Sequence, residues 1–211
     1  PDKIIGRIVK AQRPTSLLLY ARPGVGKTSI ANALANDLGM DFEQFNASVD
    51  NKDKLKKITT KAEKEPIVML LDEIHRLTKP LQDHLLPYME KGHVTVIGAT
   101  TENPYINVNP ALRSRMTILQ LNPVDVESMK KLIKKAVNFL EDELKEHIII
   151  SEAQIAFLAS STDGDVRSAL NALELVTESS DASQNGIEID TEALEQVLGR
   201  KAIAGDKNGD E

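Results

Sequence analysis

The sequence predicts an α/β fold: a parallel sheet covered by helices on both sides, followed by a small all-α domain. Three observations lead there. Apolar runs of strand length alternate with stretches of helical spacing through the first 120 or so residues. Two of those runs, Leu17-Leu18-Leu19-Tyr20 and Ile67-Val68-Met69-Leu70-Leu71, are continuous rather than alternating, as strands buried on both faces of a parallel sheet are. From about Pro123 the strand pattern stops and helical periodicity alone remains.

Taken in order, residues 4–11 carry apolar side chains at helical spacing (Ile4, Ile5, Ile8, Val9) and close at Arg13-Pro14. Residues 17–20 form the first strand, and residues 27–38 the first long helix, which Gly39 ends. Asp41-Phe42-Glu43-Gln44-Phe45-Asn46 alternates apolar with polar and reads as a short strand. Residues 50–64 are a charged helix with a thin stripe of Leu55, Ile58 and Ala62, stopped by Pro66. After the buried strand 67–71 come a helix over 80–90 and a strand over 94–99. A short helix over 110–114 and a last strand over 116–121 complete the sheet. Helices then follow over 124–141, 151–160, 165–178 and 191–198, with Ser151 and Gln154 placed as a capping box. Residues 179–186 are polar and read as a loop. The domain boundary is expected at Asn122-Pro123: an α/β core over 1–122 and a helical lid over 123–200. Residues 201–211 are expected to be a flexible tail leading to a further domain absent from the chain, and the abrupt start at Pro1 reads as a cut.

Composition narrows the function. No apolar run approaches the roughly 20 residues that span a bilayer, so no membrane partner is expected. The absence of cysteine excludes disulfides and thiolate metal sites. A net charge of −6 argues against a chain-wide basic face for nucleic acid, and 3% aromatic residues without tryptophan argues against stacking platforms for single strands. Contact with DNA must be local, or come from a ring of subunits, or from parts of the protein beyond this chain.

The most informative stretch is Ala21-Arg22-Pro23-Gly24-Val25-Gly26-Lys27-Thr28, which follows an apolar strand and leads into a helix at Ser29. That is the context of a phosphate-binding loop. Gly24 and Gly26 allow a backbone course and close approach that a side chain would block. The amides of the loop and of the first helical turn then point at an anion. Lys27 adds a point charge for the β- and γ-phosphates, and the Thr28 hydroxyl suits Mg²⁺. Residues Ala21 to Ser29 are therefore the expected nucleotide-binding set, although the strict motif opens with Gly where this chain has Ala21.

Asp72-Glu73 directly follows the buried strand, at the strand end where open α/β sheets bind ligands. Asp72 suits Mg²⁺, and Glu73 is placed to orient and polarise an attacking water. Thr100-Thr101-Glu102-Asn103 closes the next strand, where a hydroxyl or amide would lie beside the γ-phosphate. Arg113-Ser114-Arg115 ends a short helix; its arginines either stabilise a transferring phosphoryl, including from a neighbouring subunit, or cap the helix. Arg167, in Asp165-Val166-Arg167, either reaches back to the γ-phosphate or lies on the surface. His75, His84, His93 and His147 lack metal-ligand spacing. Lys52, Lys54, Lys56 and Lys57, and Lys130, Lys131, Lys134 and Lys135, read as solvated helix faces.

Together, the phosphate loop, Asp72-Glu73-Ile74-His75-Arg76, Gly98-Ala99-Thr100-Thr101-Glu102-Asn103-Pro104, Asn109-Pro110-Ala111-Leu112-Arg113-Ser114-Arg115 and Gly164-Asp165-Val166-Arg167 stand in the order found in AAA+ ATPases. More narrowly, the chain resembles the replication-associated recombination protein A group, related to clamp loaders and to the Werner-helicase-interacting ATPase. The resemblance implies an AAA+ P-loop core with a helical lid that binds ATP and Mg²⁺ and hydrolyses ATP. It implies Lys27 and Thr28 on phosphate and metal, Asp72 and Glu73 as the Walker B pair, and Thr101 as sensor 1. It further implies Arg115 as a finger acting in trans, with Arg113 second to it, and Arg167 as sensor 2. The family usually has Gly-Pro at Ala21-Arg22. For the full-length protein the resemblance implies a homo-oligomer, DNA forks or single-stranded ends, partners such as single-strand binding protein, and a cytoplasmic, nucleoid-associated location. A clamp-loader subunit, a Holliday-junction branch-migration motor, or a nucleotide-gated assembly module with negligible hydrolysis are the alternatives.

Overall fold

Side-chain alternation along the two apolar strands decides which helix covers which face. In the computed structural model, which describes residues 4–180, 182–183 and 185–199, β1 (Leu17–Tyr20) turns Leu17 and Leu19 to one face and Leu18 to the other. In β3 (Ile67–Asp72), Val68 and Leu70 join the first face, while Ile67, Met69 and Leu71 join the second. Period-two alternation with both sides apolar requires cover on both sides. On the first face lie α1 (Ile4–Ala11), through Ile8, and α2 (Lys27–Asp37), through Ala31, Leu34 and Ala35. On the second lie α3 (Lys52–Ala62), through Leu55 and Ile58, and α4 (Lys79–Glu90), through Leu81 and Leu85.

The sheet is completed by β2 (Asp41–Asn46), β4 (Val94–Thr100) and β5 (Thr117–Gln120) in the order β2-β3-β4-β1-β5, with every pairing parallel. All five carboxyl ends therefore share one edge. A one-turn 3₁₀ helix (Ile74–Arg76) follows β3, and two short helices, α5 (Pro104–Asn107) and α6 (Pro110–Arg113), lie between β4 and β5. Asn103-Pro104, a pair that in sequence also signals a turn, is the start of α5: the Asn103 side chain accepts the Tyr105 amide and acts as its N-cap.

The described chain divides into two compact units between Asn122 and Pro123. The second unit contains α7 (Val126–Leu144), α8 (Glu152–Ser161), α9 (Val166–Ser179) and α10 (Thr191–Leu198). Its core gathers Met129, Ile133, Leu158, Leu173, Val176 and Leu194 from all four helices. The unit is helical as expected, but it is not all-α. Three short strands, β6 (Ile148–Ile149), β7 (Ala182–Ser183) and β8 (Gly186–Glu188), pair in the order β6-β8-β7. The loop expected over 179–186 thus contains β7. Strands of two or three residues are too short to show a period in sequence. The tail expected over 201–211 lies outside the described residues.

Gly164 precedes Asp165, the N-cap of α9, at φ +79°. A Cβ there would lie 2.6 Å from Pro123 Cβ and 2.7 Å from the Val124 nitrogen. Backbone atoms cannot yield as a flexible side-chain end can, so Gly164→Ala is expected to cost about 2–4 kcal/mol of stability. A lowered urea midpoint for unfolding checks this, and an unchanged one contradicts it.

Candidate functional site

The loop after β1 leaves the sheet at Ala21, whose amide donates to the Thr100 carbonyl at 3.1 Å. Ala21 is buried and is absent from the positive-φ residues among those described. The backbone at that position does not require glycine, which explains how the chain carries alanine there. Gly24 and Gly26 do stand at positive φ, 74° and 89°. Gly26 is the left-handed N-cap of α2, and no side chain caps that helix. The amino end of α2 thus presents its first-turn amides without a competing side-chain acceptor, as an anion site requires. Lys27 Nζ donates to the carbonyls of Ala21 and Arg22, each at 3.0 Å, so the ammonium is drawn across the mouth of the loop. Thr28 and Ser29 follow in the first turn, both exposed.

The acidic pair stands two strands away on the same edge. Leu71 is fully buried, and Asp72 beside it is half-buried. Asp72 Oδ1 accepts the Glu73 amide at 3.1 Å, which leaves Oδ2 for a cation or its water. Glu73 adopts φ 51°, ψ 42°, the left-handed conformation. For a glutamate this is costly, about 1–3 kcal/mol, and such outliers gather at functional sites. It re-aims the side chain where the strand ends.

Thr100 ends β4 beside Tyr20, and the exposed Thr101 follows directly. The structure therefore brings the phosphate loop, Asp72, Glu73 and Thr101 to one sheet edge. His75 also belongs there, in contact with Thr100, Glu73 and Glu102. Lack of metal-ligand spacing hid it in the sequence; the available signal was its position two residues after Glu73.

The arginines are elsewhere. Arg115 precedes β5, so it stands at the sheet edge opposite the phosphate loop of its own chain. It binds the Ala111 carbonyl at 2.7 Å and pairs with Glu90 at the end of α4. Arg113 lies 5.5 Å over the Tyr105 ring and donates to the Tyr105 and Pro104 carbonyls, a structural tie between α5 and α6. Arg167 is exposed in the first turn of α9, in the second unit. Several lysines of the two basic stretches are paired with acids: Lys54 with Asp50, Lys130 with Glu127, Lys134 with Glu152. Burial, helped by the positive charges of Lys52 and Lys56, holds His84 below its ordinary value. Among the described residues no helix is long and apolar enough to cross a membrane.

The chain is 42% identical over 212 residues to Replication-associated recombination protein A of Bacillus subtilis (strain 168), covering 99% of this chain and 50% of that one. It is 33% identical to the protein of the same name from Haemophilus influenzae, covering 99% and 48%. It is 31% identical over 188 residues to ATPase WRNIP1 of Dictyostelium discoideum, covering 87% and 22%. The chain spans about half the length of the first two relatives. The fold is similar to that of the Thermotoga maritima RuvB Holliday junction branch migration motor, with TM-score 0.72 and 24% identity, covering 92% of this chain and 65% of that one. Residues 144–211 match the AAA C-terminal domain. Residues 17–124 match the ATPase family associated with various cellular activities (AAA), a span that takes in β1 and every edge loop described above. The chain belongs to that family.

Proposed function

We propose that this chain is the ATP-hydrolysing module of a protein that maintains replication forks and supports recombination on DNA. The observation that carries the reading is the convergence of three loops on one sheet edge. An uncapped helix amino end with Lys27, the Asp72-Glu73 pair, and Thr101 beside Thr100 supply, respectively, phosphate binding, metal and water handling, and a polar contact for the γ-phosphate. Residues 1–122 act as the nucleotide-binding core and residues 123–200 as its lid.

The donor set fits Mg²⁺: a threonine hydroxyl in the first turn of α2 and a half-buried carboxylate with one oxygen uncommitted. Held by Thr28 and Asp72, the ion would supply positive charge to the phosphate oxygens. The loop amides and Lys27 bind and orient the triphosphate. Glu73 accepts the proton of the attacking water, and Thr101 fixes that water or the γ-phosphate in line. The position of Arg115 on the far edge supports a finger that serves the next subunit, hence a homo-oligomer. Exposed Tyr105 and Ile106, in α5 next to this segment, give that contact apolar area. For Arg167 the sensor 2 role rests on resemblance alone. The names of the relatives, which say replication and recombination, support a role on DNA, and nothing in the charge balance does. Forks or single-stranded ends, single-strand binding protein and a place in the cytoplasm at the nucleoid rest on resemblance alone.

The test is ATP hydrolysis by the full-length protein, with and without forked and single-stranded DNA. Turnover that rises with DNA is expected. Tight ATP binding with no turnover under either condition would leave only a nucleotide-gated assembly module.

A further inference from the structure

His75 sits on the one-turn helix after β3, its side chain 7% exposed, between two more exposed carboxylates. Both ring nitrogens are engaged. Nδ1 lies 3.0 Å from Thr100 Oγ1, and that hydroxyl accepts the Glu102 amide at 3.0 Å. The other acceptor within its reach, the Glu102 carbonyl, is farther at 3.4 Å. Two carboxylate oxygens flank Nε2, and only a ring proton satisfies them, so we assign the proton to Nε2 and leave Nδ1 to accept from the Thr100 hydroxyl. Nε2 faces Glu73 Oε2 and Glu102 Oε1, each at 3.3 Å. One N–H cannot point along two such directions at once, so neither carboxylate holds it fully.

We propose that His75 is a positioning residue for Glu73. Its Nε2–H holds Oε2, turning the remaining oxygen toward the reacting water, and Glu102 competes for the same proton. The proposal rests on the reading of Glu73 as the group that activates water. A base oriented by a third group is the arrangement such chemistry needs. It matters more here because Glu73 is on a left-handed residue at a strand end, without a helix or strand to fix its direction. The network also has a built-in link. Thr101 lies between Thr100, which anchors the ring, and Glu102, which competes for it. Movement of Thr101 toward a γ-phosphate draws Glu102 with it and commits the N–H to Glu73.

The simpler alternative is that His75 only braces the turn against β4 through Thr100. Two amide substitutions separate the roles. In His75→Gln the amide nitrogen reaches the Nε2 position and nothing replaces Nδ1; in His75→Asn the reverse holds. Measured on the full-length protein, His75→Gln should keep kcat within about threefold of the parent, and His75→Asn should lower it about tenfold or more. The KM for ATP and nucleotide affinity should be unchanged in both. Glu102→Ala, at an exposed side chain, should raise kcat by up to about twofold, because one donor is no longer divided between two equal acceptors. A rate for His75→Asn equal to or above that of His75→Gln, or a fall in Glu102→Ala, would overturn the proposal. Glu73→Gln run in parallel keeps the two readings apart. If it is inactive while the two His75 variants behave alike, only the positioning role fails; if it turns over like the parent, the role of Glu73 fails and His75 with it.

Discussion

Arg115→Ala is expected to leave ATP affinity within about twofold of the parent while lowering hydrolysis by about 10³-fold or more, the range for loss of a finger that stabilises phosphoryl charge. β5 pairs with β1 in parallel, Leu17 opposite Thr117, so the residues just before Thr117 lie at the amino edge of the sheet. The phosphate loop leaves β1 at Tyr20, and four strand residues at about 3.3 Å each put roughly 13 Å of sheet between the two edges. Arg115 is held at its edge by Ala111 and Glu90. It cannot serve its own nucleotide without unravelling α6, but a second subunit docked on that edge can present its carboxyl edge to it. The exposed Arg115–Glu90 pair contributes little to stability, so releasing it for that role is inexpensive. Mixing is the decisive experiment. An Arg115→Ala subunit retains a working nucleotide site and a Lys27→Ala subunit retains a working arginine; the mixture should recover activity that neither shows alone. Failure to recover would mean that Arg115 acts within its own chain or not at all.

Particular residues show what could be read from sequence and what could not. β1 and β3 were legible because burial on both faces leaves an uninterrupted apolar run; β2 was less so, since Phe42 and Phe45 pack on opposite faces and do not alternate on one. The phosphate loop and Asp72-Glu73 were legible because each is contiguous and its chemistry depends on residue type at fixed spacing. The helix expected over 124–141 begins at Val126, where Asp125 accepts the Ser128 amide, and runs to Leu144, ending on a left-handed Lys145. A lysine in place of glycine gives no stop signal. Helix α5 hid behind Asn103-Pro104, since the same pair signals a turn and an N-cap followed by proline. The His75 network was illegible for a different reason. It joins residues 25 positions apart that meet because β3 and β4 are neighbours. The same holds for Arg115, whose distance from its own phosphate loop follows only once β5 is known to flank β1.

Glu73→Gln is expected to retain nucleotide and to lose hydrolysis, by about 10²–10³-fold, the contribution of a positioned base. Glutamine preserves the length of the side chain and an oxygen at the place of Oε2, so the His75 contact at 3.3 Å survives in one amide orientation. It faces the same left-handed backbone at φ 51° that glutamate tolerates, so the fold is not asked to absorb a new strain. What disappears is the negative charge and the capacity to take a proton from water. Asp72 is untouched, and its Oδ1 still accepts the amide of residue 73, so the carboxylate assigned to the cation keeps its orientation. ATP affinity measured by calorimetry should therefore match the parent while single-turnover hydrolysis collapses. That split separates water activation from binding: a variant that loses both would assign Glu73 to holding the nucleotide, and one that loses neither would remove it from the chemistry. Because the loss lies in the chemical step, added DNA should not restore the rate.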